Sequence, residues 1–127
     1  MSREAVYAEM QEVLGQVPGF FEGIPDDTLD AEWDLFKRFN LGETSIPAKY
    51  RELIGLAVAS VLHCWYCSNF HTGASQLHGA SEAEIQEAVH IAKFVAGCSS
   101  YLNGSLYDRD RFLKELKEIG EHLSQSR

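Results

Sequence analysis

The sequence contains no apolar run long enough to cross a membrane. Its longest one, residues 54–62, reaches about half of the roughly 18 residues that a membrane-spanning helix needs. The first residues, MSREAVYAEMQ, are charged and amphipathic, and they lack the apolar segment of a signal peptide. These two absences predict a cytoplasmic protein without a membrane partner.

Positive charge is also scarce in this chain. Lysine and arginine together number 11, aspartate and glutamate number 19, and the net charge is −8. Nucleic-acid binding requires clustered lysine and arginine side chains against the phosphates, so we expect no nucleic-acid partner. The acidic balance argues equally against anionic membrane surfaces, and it favours solubility.

Cysteine is sparse, with three residues in 127. An odd number excludes a framework in which every cysteine is paired within the chain. Without a secretory signal, the cysteines indicate a reducing compartment. Cys98 stands alone and is predicted to be a small buried apolar side chain. The other two, Cys64 and Cys67, form a C-x-x-C motif.

Strand signals are missing, because no segment alternates apolar and polar residues between turn residues. The chain therefore predicts an all-α bundle in a single domain over residues 1–127, in which the third and fourth helices form an antiparallel pair. Residues 97–103 either continue the fifth helix or break it. The inner side of the second helix is predicted to carry Trp33, Phe36 and Phe39. The predicted helices cover residues 3–14, 27–39, 47–62, 64–78, 82–96 and a last segment from 108 onward.

The most informative feature is the run Cys64-Trp65-Tyr66-Cys67, which is followed by His71 and preceded by Glu52. Residues three apart on a helix share a face, so the two thiols lie close enough to form a disulfide. At the start of a helix, free N–H groups and the helix dipole favour a thiolate, above all on the first cysteine. The motif therefore indicates a dithiol redox site.

His71 lies one helical turn beyond Cys67 and can exchange a proton with it near neutral pH. The rise of about 1.5 Å per residue brings Glu52 and His71 level in an antiparallel pair, with a water closing any gap. Two auxiliary residues are considered. Tyr66 is expected mainly to pack, although its hydroxyl could donate to the site, and His63 is a possible helix cap or donor.

Three other interpretations remain open from the residues. The first is a disulfide oxidoreductase or redox sensor without peroxidase turnover. The second is a metal site made of Cys64, Cys67 and His71 with Glu52 or His63. Three ligands on one helix suit tetrahedral zinc poorly, so we expect neither a metal nor a bound cofactor. The third is a structural oligomer whose site is inactive.

The pattern of Glu52, eleven residues, Cys64-x-x-Cys67, three residues and His71 resembles the AhpD-like family of the carboxymuconolactone decarboxylase superfamily. Pro18, Pro25, the run Trp33-Asp34-Leu35-Phe36 and the loop before Pro47 are similar to its peroxidase-related branch. The resemblance implies an all-α fold and alkylhydroperoxidase-type activity. It also implies homo-oligomers, commonly trimers or hexamers, with active sites near the subunit contacts.

The resemblance further implies a role for each site residue. Cys67 would attack the hydroperoxide and Cys64 would resolve the product, while Glu52 and His71 relay protons. An external dithiol would then reduce the resulting disulfide. This chain carries Tyr66 where the best-studied members have a histidine. The presence of both cysteines argues against lactone decarboxylation.

Overall fold

The computed structural model describes residues 1–125, which form helices and connecting turns without any strand in that range. The all-α prediction is therefore confirmed. Residues 97–103 continue the fifth helix without a break. The helices are α1 (Arg3–Leu14), α2 (Asp26–Asn40), α3 (Ala48–Val61), α4 (Trp65–Leu77), α5 (Glu82–Gly104) and α6 (Arg109–Gln125), with a 3₁₀ turn at Gly19–Phe21.

Local signals set several helix ends. The Ser2 hydroxyl accepts a hydrogen bond from the Ala5 N–H at 3.2 Å and caps α1. Gly15 ends α1 with a φ of +82°, a left-handed conformation that favours glycine. At α5, Ser81 and Glu84 form a reciprocal capping box, with bonds of 3.1 and 2.9 Å. These starts and ends lie where the sequence predicts them.

The first two helices share an apolar core with the 3₁₀ turn. Glu9 on α1 accepts a hydrogen bond from the Trp33 indole at 3.0 Å, which ties α1 to α2. Phe36 packs against this core, whereas Phe39 is 53% exposed. The predicted inner stripe of α2 is therefore right for Trp33 and Phe36 and wrong for Phe39. The buried core residues are Val6, Met10, Phe21, Leu29 and Trp33.

Helix α3 packs against both α4 and α5. Its buried face carries Glu52, Leu56 and Ala59, which recur at helical spacing. The opposite face is apolar yet about half exposed, as at Ile54 and Val58. The sequence led us to expect the end of α3 deep in the protein, and within one chain that expectation is wrong.

The last two helices expose much of their apolar surface. Helix α6 buries none of its side chains against the rest of the described chain. Cys98 on α5 is exposed, so its predicted burial is also wrong within one chain. No helix within residues 1–125 is both long and apolar enough to span a bilayer. The exposed apolar side chains of α6 are Phe112, Leu113, Leu116, Ile119 and Leu123.

Candidate active site

A tight turn over residues 62–64 joins α3 to α4 and places the first cysteine at a helix start. His63 forms the turn with a φ of +55°. Cys64 is the N-cap of α4, and its sulfur accepts a hydrogen bond from the Cys67 N–H at 3.2 Å. The helix start therefore directs an N–H group at one sulfur and carries the second sulfur on its first turn.

The two thiols are free and differ in acidity. A hydrogen bond from the Cys67 thiol, followed by the bond from its backbone N–H, lowers the pKa of Cys64. The same hydrogen bond between the two thiols, followed by desolvation, raises the pKa of Cys67. Cys64 therefore loses its proton more readily than Cys67, as expected for a thiol at a helix N-terminus.

The acid and the imidazole are in direct contact. His71 Nδ1 lies 2.7 Å from Glu52 Oε2, so no space for a bridging water separates them. Glu52 is only 1% exposed, although it carries a carboxyl group. A carboxylate only accepts, so we assign the Nδ1 proton to His71 in this bond. The other ring nitrogen, Nε2, is then the acceptor.

Arg51 holds the other oxygen of the same carboxyl group. Its Nε lies 3.4 Å from Glu52 Oε1, and its Nη1 donates to the Gly42 carbonyl at 2.6 Å. Nη1 also lies 3.5 Å from the Thr44 hydroxyl, and Nη2 is buried without a protein partner among residues 1–125. Arg51 thus connects the loop before α3 to the acid of the site.

Gly55 lies directly against the His71 ring. A Cβ atom placed on Gly55 would lie 2.6 Å from both Cε1 and Nδ1 of that ring. Such a distance is far inside van der Waals contact, so only glycine leaves room for the imidazole. This close approach lets His71 reach Glu52 on the neighbouring turn of α3.

A pocket of about 500 Å³ adjoins the second cysteine. Cys67 and His71 both line it, whereas Cys64 does not. The rings of Phe36 on α2 and Phe70 on α4 meet edge-on with centroids 6.0 Å apart, and Phe70 lies 5.1 Å from the His71 ring. The lining residues are Phe20, Phe36, Asn40, Tyr66, Cys67, Phe70 and His71.

The two auxiliary residues occupy different places. Tyr66 lines the pocket but is 79% exposed and packs edge-on against Trp65, with centroids 5.3 Å apart. His63 lines a separate pocket with Val61 and Lys93. Within residues 1–125, no group of three or more His, Cys, Asp or Glu side chains is arranged to hold a metal ion.

Sequence reasoning missed several contributors to this site. Gly55 could have been found, because it follows Glu52 by three positions and is an isolated glycine inside a helical pattern. Arg51, next to the acid, carries no comparable local signal. Phe20, Phe36 and Asn40 reach the pocket only through tertiary packing, which local patterns do not reveal.

Two comparisons with known proteins identify the family of this chain. The model of the carboxymuconolactone decarboxylase family matches residues 28–107, which include the whole thiol, imidazole and carboxyl cluster. The crystal structure of the alkylhydroperoxidase AhpD core from Rhodospirillum rubrum is similar, with a TM-score of 0.72 and 25% identity. The alignment covers 87% of this chain and 85% of that one. No curated protein matches the chain. The chain belongs to the carboxymuconolactone decarboxylase family and has the AhpD-like helical fold.

Proposed function

We propose that this protein is a thiol-dependent peroxidase of the alkylhydroperoxidase type, which reduces hydroperoxides through a Cys64–Cys67 dithiol–disulfide cycle. One observation carries the proposal. The hydrogen-bonded pair of Glu52 and His71 adjoins a pocket that Cys67 also lines. The similarity to an alkylhydroperoxidase core supports the same reaction class.

The first step removes the proton from Cys67. Because hydrogen bonding to Cys64 raises the pKa of this thiol, a base must assist it. His71 Nε2 accepts the proton, and the carboxylate of Glu52 stabilises the imidazolium through Nδ1. The Cys67 sulfur then attacks the terminal oxygen of the hydroperoxide and the O–O bond breaks. The leaving alkoxide takes the proton from His71, which yields an alcohol and a sulfenic acid on Cys67.

The second step closes the disulfide. Cys64 is the more acidic thiol of the pair, so it forms the thiolate more easily than Cys67. It attacks the sulfur of the Cys67 sulfenic acid, the S–O bond breaks, and the departing hydroxide takes up a proton to become water. An external dithiol then supplies two electrons and two protons to restore both thiols. In this proposal the cycle runs in the cytoplasm, where such dithiols are maintained.

The lowered pKa of Cys64 also supports a second candidate function. A lowered pKa on the first cysteine of a C-x-x-C motif suits attack on a disulfide substrate. A disulfide oxidoreductase or redox sensor would use Cys64 as the nucleophile and would not need the pocket beside Cys67. A comparison of how fast a hydroperoxide and a small disulfide oxidise the reduced protein distinguishes these two functions.

We also propose that the protein works as a homo-oligomer, a trimer or a hexamer. One chain exposes 9447 Å², whereas a compact monomer of 14.2 kDa exposes about 6,800 Å². The excess, about 2,600 Å² on one chain, is as large as one subunit's half of an obligate interface, since such interfaces bury roughly 2,000–5,000 Å² over both partners. The apolar faces of α3, α5 and α6 supply this surface.

Stopped-flow measurement of thiol loss tests the peroxidase proposal. The reduced Cys98→Ser protein is mixed with an organic hydroperoxide, and mass spectrometry then locates the products. We expect a Cys64–Cys67 disulfide, and a trapped sulfenic acid on Cys67 when Cys64→Ser is added. Full peroxide consumption by a Cys67→Ser variant would refute the proposal. A faster reaction with a small disulfide than with any hydroperoxide would favour the oxidoreductase.

A further inference from the structure

We propose that the pocket beside Cys67 selects hydroperoxides whose organic part is apolar and uncharged, and that it discriminates against both hydrogen peroxide and carboxylate-bearing hydroperoxides. This inference rests on the proposed peroxidase function. It concerns the residues that line the pocket in addition to Cys67 and His71, which are three phenylalanines, Tyr66 and Asn40.

The size of the pocket argues for an organic substrate. Its volume of about 500 Å³ lies within the range of roughly 300–1,000 Å³ for small-molecule sites. Hydrogen peroxide is little larger than a water molecule, which occupies about 30 Å³. It would contact only one side of such a space. An aryl or branched alkyl group would displace water from the phenylalanine walls and gain apolar contact.

The chemistry of the walls argues against a charged substrate. None of the lining residues is a lysine or an arginine. An anionic carboxylate would lose its hydration there without gaining a permanently charged partner, which is costly. The whole chain is acidic as well, with a net charge of −8, so its overall field repels anions.

Asn40 offers the hydroperoxide a neutral partner. Its Nδ2 donates one of its two hydrogens to the Phe36 carbonyl at 3.2 Å, which leaves Oδ1 and one N–H available. The amide oxygen can accept a hydrogen bond from the O–H of a hydroperoxide, and the neutral amide offers a carboxylate no opposite charge. Asn40 is therefore a positioning residue for the substrate in this proposal.

Phe20 forms the outer wall of the pocket. It is 69% exposed, and its ring lies 4.8 Å from that of Phe21, which is buried in the core of α1 and α2. The buried neighbour fixes the position of Phe20, while its exposure means that truncation leaves the core intact. Phe39 provides a matched control, because it is 53% exposed and does not line the pocket.

The test compares second-order rate constants for oxidation of the reduced protein at pH 7 by hydrogen peroxide, cumene hydroperoxide and its para-carboxylate. We expect cumene hydroperoxide to react about tenfold or more faster than either of the other two. Phe20→Ala should lower the rate constant for cumene hydroperoxide several-fold and leave the rate constant for hydrogen peroxide unchanged. Phe39→Ala should change neither.

Asn40→Lys gives a gain-of-function measurement. A cation at this position should raise the rate of the carboxylate relative to cumene hydroperoxide by about tenfold. A lysine at the end of α2 also suits the helix dipole, so the variant should fold. Equal rates for all three peroxides would overturn the pocket assignment and leave the peroxidase function standing. Failure of every peroxide to oxidise Cys67 would overturn both.

Discussion

Gly55 on α3 leaves the space that the imidazole of His71 on α4 occupies, and His71 in turn bonds the buried carboxyl group of Glu52. The position of the proposed base thus depends on the absence of a single methyl group. This relationship yields a prediction about a substitution that most helices tolerate well.

Gly55→Ala should displace the His71 ring, because the new Cβ would lie 2.6 Å from two ring atoms. We expect peroxidase activity to fall about 100-fold, the lower range for loss of a general base. The NMR signals of the His71 ring should report the lost bond to Glu52. Gly73→Ala on α4 is the control, since nothing lies within 4 Å of its added methyl group. That variant should keep full activity and gain up to about 1 kcal/mol of stability. Unchanged activity of Gly55→Ala would contradict the positioning role of Gly55.

Glu52→Gln should impair both the reaction and the fold. The amide no longer stabilises an imidazolium, so we expect about 100-fold slower peroxide reduction. The amide also places its NH₂ group against the N–H of either Arg51 or His71, so one hydrogen bond is lost. We expect this loss to lower the free energy of unfolding by about 1–3 kcal/mol. Urea unfolding and thiol-oxidation kinetics measure the two effects.

Glu9→Gln is the matched control for this change. Glu9 accepts hydrogen bonds from Trp33 at 3.0 Å and from Lys37 at 2.9 Å, and it does not line the pocket. It should lose stability without slowing peroxide reduction. Equal loss of activity in both variants would show that destabilisation, and not the relay, explains the effect of Glu52→Gln.

The pKa of Cys64 should lie below that of an ordinary cysteine, and the pKa of Cys67 should lie above it. Alkylation requires the thiolate, so its rate at Cys64 should rise at lower pH than its rate at Cys67. Cys67→Ala removes the thiol donor and keeps the backbone N–H. We therefore expect the pKa of Cys64 to rise in that variant and to remain below the ordinary value.

Iodoacetamide labelling of the Cys98→Ser background across pH, read by mass spectrometry of the two sites, measures both midpoints. A lower midpoint at Cys67 than at Cys64 would contradict the predicted order of the two pKa values. In the proposed cycle it would also remove the need for a base at the attacking sulfur.

Leu116→Glu should weaken the oligomer. Leu116 lies on the exposed apolar face of α6, and a carboxylate buried there in an interface would have no partner. We expect the wild-type protein to be a trimer or hexamer. The variant should dissociate at a protein concentration at least about tenfold higher than the wild type does, which corresponds to a loss of about 1.4 kcal/mol in association free energy. Lys117→Glu, on the adjacent polar face, should leave assembly unchanged. Light scattering over a dilution series measures the masses, and a monomeric wild type would refute the oligomer.

Structural features that depend on residues close together in the chain, such as helix starts, could be predicted from the sequence. The capping box of Ser81 and Glu84 fixed the start of α5, and the C-x-x-C motif located the start of α4. The rise per residue of a helix was enough to predict that Glu52 and His71 lie at the same height along the two helices. It did not predict that they form a direct hydrogen bond. Burial at Phe39 and Cys98 was mispredicted, because apolar character does not reveal whether the covering surface belongs to the same chain. The pocket walls depend on how α2 lies beside α4, which no local pattern determines.

The reacting groups come from one stretch of the chain, whereas three of the residues that line the pocket come from an earlier one. The sulfurs, the imidazole and the acid all lie between residues 52 and 71, whereas Phe20, Phe36 and Asn40 precede that stretch. Substitutions before residue 41 can therefore alter which molecules reach the sulfur while leaving proton transfer intact. Relatives that retain the later stretch and vary the earlier one would share a reaction and differ in substrate preference. Grafting the first two helices from one relative onto another should exchange these preferences.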